Sequence, residues 1–261
     1  MTCKNKLFLE YTRCLTRFIA QPPALPDNYT AADFVSFMRK ETYLYSPRYA
    51  KNRVIIHGQD RLLDVAAHSG ALLTPVHYGS FFLSGGAVVQ QLKLPYTAIV
   101  TGRNIAPSLE EQLFWKGVHQ RSAGLYQQPL FYTGISSPKS LLNYLGKPGN
   151  LLCAMLDVRE QGQTPKEYVF NFLGRQIYLH TGPARLAYLA KVPMLPMTIQ
   201  YNRFERRHHL YFGESVYPCK DHRAVTQSIL SSLEHDIADQ PQQWFYDFLS
   251  AFTLPHNPGA L

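Results

Sequence analysis

Short apolar runs alternate with segments of helical spacing along most of this 261-residue chain. The continuous runs predict strands, at 54–56, 71–76, 96–101, 151–156, 194–201 and 209–212. Apolar residues that recur every three or four positions predict helices, at 31–39, 108–123, 138–146, 184–191 and 225–237, with a helix or turn at 85–92. Strands that are apolar on both faces are typical of a covered parallel sheet. The alternation therefore predicts an α/β fold with a central, mostly parallel or mixed sheet flanked by helices.

Turn and capping residues agree with the predicted boundaries of the helices and strands. Ser108 precedes Glu111 by the three residues of a capping box, and Ser137-Pro138 combines a preferred N-cap with proline at the first helical position. Gly174 separates the short segments 168–173 and 176–179 and predicts a hairpin. The pattern predicts one domain over residues 1–261.

The first 27 residues form an amphipathic segment and a Pro-rich linker. Apolar side chains follow helical spacing from Leu7 to Ile19, and basic residues lie mostly off that stripe. Such a helix either lies on a membrane surface or docks on its own domain. The stretch Gln21–Asp27 then ends the helix with three prolines.

The amino-acid composition indicates which kinds of partner and which cellular compartment suit this protein. The formal net charge of +8 suits an acidic partner, such as anionic lipid or an acidic carrier protein. No recognisable nucleic-acid-binding module accompanies it, so we predict no nucleic-acid partner. The sequence has no apolar run of transmembrane length, no signal peptide and no disulfide framework, which predicts a cytoplasmic protein, peripheral on the membrane if its helix binds there. The 17 Tyr and 15 Phe either line an apolar tunnel or fill an ordinary core.

His77 is the first candidate for chemistry. It follows the apolar run 71–76 and precedes a small, flexible turn that contains Gly79. A histidine at the mouth of a buried strand can serve as a general base, because its ordinary pKa lies near neutrality.

Several segments in a fixed order carry a family resemblance. They are Val54–Gly58 (VIIHG), Pro75–Ser80 (PVHYGS), Leu151–Arg159 (LLCAMLDVR), Val169–Arg175 (VFNFLGR), Thr181–Ala187 (TGPARLA), Val192–Pro196 (VPMLP) and Pro241–Tyr246 (PQQWFY). Over roughly residues 54–247 this order resembles the lipid A biosynthesis (late) acyltransferase family, a branch of the lysophospholipid acyltransferase (LPLAT-like) superfamily.

The resemblance implies a fold, a reaction and partners. It implies a central sheet with the active site at the carboxyl ends of its strands. It also implies transfer of a fatty acyl group from an acyl carrier protein or coenzyme A thioester to a hydroxyl or amine, with no metal or bound cofactor. The family's membrane-spanning N-terminal helix is replaced here by the shorter amphipathic segment.

Phe82 marks a departure from the family pattern, which has Asp or Glu five residues after the histidine. Loss of the acid that orients a catalytic histidine can cost ~10⁴ in rate. Either another group orients His77 (Asp157, a backbone carbonyl or Ser80), or the acceptor needs only a weak base, or the chain has lost this chemistry. We favour an amine acceptor, helped by a substitute group, because an amine asks less of the base.

The remaining site residues have both functional and structural interpretations. By position in the family blocks we expect Tyr78, Ser80 and Phe82 to border the substrate. Arginines suit an oxyanion or a carrier phosphate, or form structural salt bridges, and the candidates are Arg103, Arg159 and Arg185. Asp157 follows a buried strand and could orient a ligand or His77, or cap a turn.

Two other signals carry less weight. Cys153 lies inside an apolar strand, which favours a core thiol over a nucleophile. A basic cluster between two predicted strands predicts a hairpin turn, and its members are Arg203, Arg206, Arg207, His208 and His209. This turn is either exposed to solvent or docks on an acidic carrier protein or on anionic lipid headgroups.

The sequence thus predicts an acyltransferase in which His77 is the general base. The alternatives from other classes are a non-catalytic acyl-binding or carrier-binding homologue and a thioesterase, in which water replaces the acceptor.

Overall fold

A computed structural model describes residues 24–100, 109–157 and 169–244. The predicted N-terminal amphipathic helix and both Arg103 and Arg159 lie outside these ranges. Among the residues that are described, no helix has the length and apolar character needed to cross a membrane.

Helices make up most of the described chain outside the sheet. In chain order they are α1 (Ala31–Glu41), α2 (Pro47–Arg53), α3 (Gln59–His68), α4 (Phe82–Ala87), α5 (Leu109–Tyr126), α6 (Pro138–Leu145), α7 (Gly182–Ala190) and α8 (His222–Asp239). Short 3₁₀ turns at Thr42–Leu44 and Pro241–Gln243 and a π-type turn at Val88–Leu92 extend this set. The Thr30–Asp33 capping box starts α1, and Ser137 caps α6 as its sequence predicts.

The strands form a seven-stranded sheet and a separate hairpin. They are β1 (Val54–His57), β2 (Ala71–Thr74), β3 (Tyr96–Val100), β4 (Phe131–Tyr132), β5 (Leu151–Cys153), β6 (Val169–Phe172), β7 (Arg175–Tyr178), β8 (Met194–Asn202) and β9 (Arg207–Phe212). The large sheet has the order β1-β9-β8-β2-β5-β3-β4, and β6 pairs with β7 apart from it. Five strands, from β8 to β4, are parallel, whereas β9 and β1 run the opposite way.

Both faces of the sheet are covered, as the continuous apolar strands predict. Leu73 and Cys153 pack on one side with α1, α2, α4 and α5. Leu72 and Leu152 pack on the other side with α6, α7, α8 and the β6–β7 hairpin. Because successive strand residues point to opposite faces, two adjacent leucines can belong to two different cores. The mixed α/β architecture predicted from the sequence is confirmed.

The chain order reverses direction between β2 and β5. After β2 the chain passes through α4 to β3, and after β5 it passes through α7 to β8, which lies on the opposite side of β2. The two helices pack on opposite faces of the sheet. In open α/β sheets, ligands bind outside the carboxyl ends of the strands at such a reversal. The fold itself therefore points to the residues that follow β2 and β5.

Some boundaries differ from the sequence prediction. Strands β2 and β5 end two to three residues earlier than their apolar runs, and β9 begins at Arg207 rather than at 209. Helices α2 and α3 were not predicted from periodicity. Apolarity alone overextends a strand, because most of the apolar residues that follow the last ladder pair are also buried.

Gly79 positions the turn that follows β2. It has φ +61°, and a Cβ built there would lie 1.6 Å from the carbonyl oxygen of Ile199 in β8. Gly174, in the β6–β7 hairpin, has a similar φ of +70° but open space around it. Positive φ favours glycine at both sites, and only Gly79 also lacks room.

We predict that Gly79→Ala destabilises the protein by roughly 2–4 kcal/mol, since it adds a clash to the positive-φ cost. Gly174→Ala, the matched control, is expected to cost only about 1 kcal/mol. Urea unfolding of both variants measures the difference. Equal losses of stability would show that the close approach to β8 does not constrain the turn.

Candidate functional site

His77 and Asp157 meet because they occupy equivalent places after adjacent parallel strands. Leu73 pairs with Cys153 in the β2–β5 ladder, and each site residue lies four positions further along its own strand direction. The ladder continues past the strands, since Ala154 N–H donates to the carbonyl of Leu73 at 2.9 Å. The next bond, from Leu156 N–H to the carbonyl of Pro75, is also 2.9 Å long. The side chains of His77 and Asp157 thus lie side by side at the carboxyl ends of β2 and β5.

The carboxylate of Asp157 holds both the ring and the backbone of His77. Its Oδ1 lies 2.7 Å from Nδ1 of the imidazole, and its Oδ2 accepts the backbone N–H of His77 at 2.8 Å. The side chain of Asp157 is 2% exposed, whereas that of His77 is 12% exposed. Water therefore competes little for this contact, and a charge-assisted hydrogen bond is strong in such surroundings.

This contact selects a tautomer of His77. An ionised carboxylate can only accept a hydrogen bond, so Nδ1–H is the donor and the neutral ring carries its lone pair on Nε2. A general base needs such a lone pair, and the carboxylate also stabilises the imidazolium that forms when the base takes a proton. A carboxylate thus contacts the imidazole of His77 although Phe82 stands where the family pattern has its acid.

The segment after α8 closes over this pair. Trp244 donates from its Nε1 to Oδ2 of Asp157 over a longer 3.5 Å contact, and its backbone forms a bridge with Tyr78. The carbonyl of Gln243 accepts the N–H of Gly79 at 2.9 Å. The amide of Gln243 is itself bound to both backbone groups of Tyr201 in β8. The block Pro241–Trp244 therefore ties the turn after His77 to the sheet and to Asp157.

One phenyl ring packs against the imidazole of His77, and a second packs behind the first. The ring of Phe81 meets His77 edge-on at 4.9 Å. Phe82 begins α4, is 9% exposed and packs against Phe81, Trp115 and His119. The residue that replaces the family acid is therefore part of an apolar cluster in the core.

Tyr78 and Ser80, which the sequence predicts to border the substrate, both have buried side chains. Tyr78 is 1% exposed, and its hydroxyl donates to the carbonyl of Asp236. Ser80 is fully buried, and its Oγ donates to Oε2 of Glu41 at 2.7 Å. The groups that hold the turn thus include its own side chains, and Asp157 rather than Ser80 contacts the ring of His77.

Glu41 forms a buried polar cluster beneath the turn. Its carboxylate contacts Nε2 of His208 at 2.6 Å and accepts from Ser80 and Tyr49 at 2.7 Å each. Both Glu41 and His208 are fully buried. Burial by itself raises the pKa of Glu41, but the charge of His208 and these hydrogen bonds outweigh it and hold the pKa below its ordinary value.

His208 is a correction to the sequence interpretation of the basic cluster. The sequence placed it in a hairpin turn, whereas it lies in β9 with a fully buried side chain. Alternation along β9 explains the burial, because His208, Leu210 and Phe212 face the core and their neighbours do not.

Two further candidates have clear places. Arg185 lies in the first turn of α7 with an exposed side chain. Cys153 is buried, and burial raises the pKa of its thiol to about 12, which keeps it protonated and fits the interpretation as a core residue.

Sequence reasoning named no role for Glu41 or Trp244. The only signal for Trp244 was its place in the resemblance block Pro241–Tyr246. Glu41 gave no signal, since an acidic residue at the end of an amphipathic helix is typical of a solvated face.

Comparison with known proteins finds one family for this chain. Residues 28–247 match a protein family model described as "Bacterial lipid A biosynthesis acyltransferase". A search of curated proteins finds no significant match.

We predict that Glu41→Gln lowers the free energy of unfolding by roughly 3 kcal/mol, because it leaves His208 buried without a charged partner. The control Glu205→Gln removes an exposed carboxylate from His209 and should cost under about 1 kcal/mol. Urea unfolding at neutral pH compares the two.

The same variant tests the pH dependence. A carboxyl whose pKa is lowered by folding stabilises the protein above its ordinary pKa of 4.5, and this stabilisation is lost as the pH falls below that value. The stability difference between the parent and Glu41→Gln should therefore shrink in acid. A difference that stays constant down to the acid transition would contradict an ionised Glu41.

Proposed function

The chain belongs to the bacterial lipid A biosynthesis acyltransferase family, and we propose that it uses His77 as general base, oriented by Asp157, to move a fatty acyl group from a thioester to an acceptor. Family membership makes it an acyltransferase. The contact between Nδ1 of His77 and Oδ1 of Asp157, 2.7 Å long, carries the assignment of these two residues.

The proposed step follows from the tautomer. Nε2 of His77 takes the proton from the acceptor as its oxygen or nitrogen attacks the thioester carbonyl. The new C–O or C–N bond forms, and the C–S bond of the tetrahedral intermediate then breaks. The leaving thiolate takes a proton from the imidazolium, which returns His77 to its starting state. Charge on His77 is opposed by Asp157 throughout.

Asp157 also widens the range of acceptors in this proposal. The sequence alone favours an amine, because Phe82 leaves His77 without the acid of the family pattern. With a carboxylate on Nδ1, His77 is equipped to activate a hydroxyl as well as an amine. The proposal therefore includes both acceptor classes.

The proposed donor is an acyl carrier protein or coenzyme A thioester, by analogy with the family resemblance. Arg103, Arg159 and the exposed Arg185 remain our candidates for an oxyanion or carrier phosphate. Donors of both kinds are cytoplasmic, so we propose a cytoplasmic protein, with the N-terminal amphipathic segment as a contact to the membrane face.

The first test is acceptor-dependent release of free thiol from an acyl thioester. His77→Ala should reduce the rate to background, and Asp157→Asn should reduce kcat by roughly 10³–10⁴. The asparagine keeps the size of the side chain and an oxygen for the backbone N–H of His77. His235→Ala, at an exposed position on α8, should leave the rate unchanged.

Each alternative gives a different outcome in this assay. A non-catalytic homologue would bind the donor and release no thiol with or without His77. A thioesterase would release free fatty acid in the absence of acceptor. Parallel assays with one acyl chain on carrier protein and on coenzyme A identify the donor by the larger kcat/KM.

We predict that Phe82→Glu gives no gain in turnover and lowers stability by roughly 2–4 kcal/mol. The added carboxyl would enter an aromatic cluster, while Nδ1 of His77 is already held by Asp157. Phe82→Leu is the apolar control and should keep most of the activity. An increase of several-fold in Phe82→Glu would mean that Asp157 does not replace the family acid.

A further inference from the structure

The turn between β8 and β9 projects beyond the end of the sheet at which the parallel strands finish and His77 lies. Strand β8 pairs with β2 at Pro196 and Thr74, then continues for six residues to Asn202. His77 lies three residues beyond Thr74. At about 3.3 Å per residue, the end of β8 therefore extends on the order of 10 Å further than His77 along the strand direction.

The surface of this projection combines cations with one aromatic side chain. Phe204 is 81% exposed, and the guanidinium of Arg203 lies 4.3 Å from its ring centre. Arg206 and Arg207 are exposed beside it. The C-terminal end of α2 joins them, because the guanidinium of Arg53 donates to the carbonyl of Arg206 at 3.2 Å. We call Arg53, Arg203, Phe204, Arg206 and Arg207 the hairpin surface.

The acidic residues near this surface are already engaged. Glu205 pairs with His209 and accepts from the amide of Asn202. Asp27 pairs with Arg203. Among the residues that the structure describes, the four arginines therefore outnumber the two carboxylates, and the exposed end of the turn is positively charged.

We propose that the hairpin surface docks on an anionic lipid bilayer, with Phe204 inserted among the headgroups. A single projecting phenyl ring fits the soft boundary between headgroups and acyl chains, and arginines beside it match lipid phosphates. An acidic protein partner would offer charge, but a lone protruding ring would also need a matching apolar pocket. Docking in this way directs the end of the sheet that carries His77 toward the bilayer.

The backbone of Arg206 provides a favourable variant. Its φ is +53°, a conformation that glycine adopts without strain. Arg206→Gly therefore removes a charge from the surface while it suits the turn better than the native residue. A loss of binding in this variant cannot be attributed to unfolding when its melting temperature is unchanged or raised.

The test is co-sedimentation of the full chain with vesicles of phosphatidylcholine alone or with 30% phosphatidylglycerol. The parent should bind the anionic vesicles, more weakly in 0.5 M salt, and bind the neutral vesicles poorly. Arg206→Gly should weaken binding several-fold, and the double variant Phe204→Ser/Arg206→Gly by roughly ten-fold or more.

A control pair lies at the opposite end of the sheet, near the start of β8. Tyr217 is 72% exposed and Lys220 is also exposed, in the segment that follows the far end of β9. Tyr217→Ser/Lys220→Gln removes one aromatic ring and one charge there and should bind as the parent does.

Three results would overturn the proposal. The parent could fail to bind anionic vesicles, or bind neutral ones equally well, or the double variant could bind as tightly as the parent. Loss of turnover with a carrier-linked donor in the double variant, with vesicle binding intact, would assign the surface to an acidic carrier instead.

Discussion

The hydrogen bond between Asp157 and His77 is the contact on which the proposed chemistry depends. It joins residues eighty positions apart in the chain, and it forms because β2 and β5 are parallel neighbours in a fixed register. A shift of one residue in that register would turn every side chain of a strand to the opposite face. The apolar residues on both faces of the two strands therefore hold the pair in place as much as the local turn does.

The surroundings of the pair restrict its movement from three directions. Gly79 allows the turn to lie against β8, and Gln243 accepts the glycine N–H while its amide binds the backbone of Tyr201. Beneath the turn, Ser80 is bound to the buried carboxylate of Glu41. A catalytic side chain needs such support, because small displacements weaken proton transfer and attack. The polar groups at the site are thus mostly structural, and few of them are exposed to a substrate.

Much of this architecture could be predicted from the sequence, whereas its long-range pairings could not. The apolar runs before His77 and Asp157 identified both strands and both site residues, and cap residues located α6. Nothing in the sequence showed that the strand before Asp157 lies beside the strand before His77, although they are separated in the chain by β3 and β4. For that reason Asp157 remained one of several candidates to replace the family acid. Glu41 and His208 were missed because each looks solvated in its local sequence, and only the packing of α1 on β9 buries them.

The tautomer of His77 provides the most direct measurement. In ¹⁵N-labelled protein, the account predicts a strongly downfield proton on Nδ1 of one histidine at neutral pH, absent from the spectra of His77→Ala and Asp157→Asn. A spectrum in which His77 carries its proton on Nε2 alone, or in which the Nδ1 proton signal persists unchanged in Asp157→Asn, would contradict it.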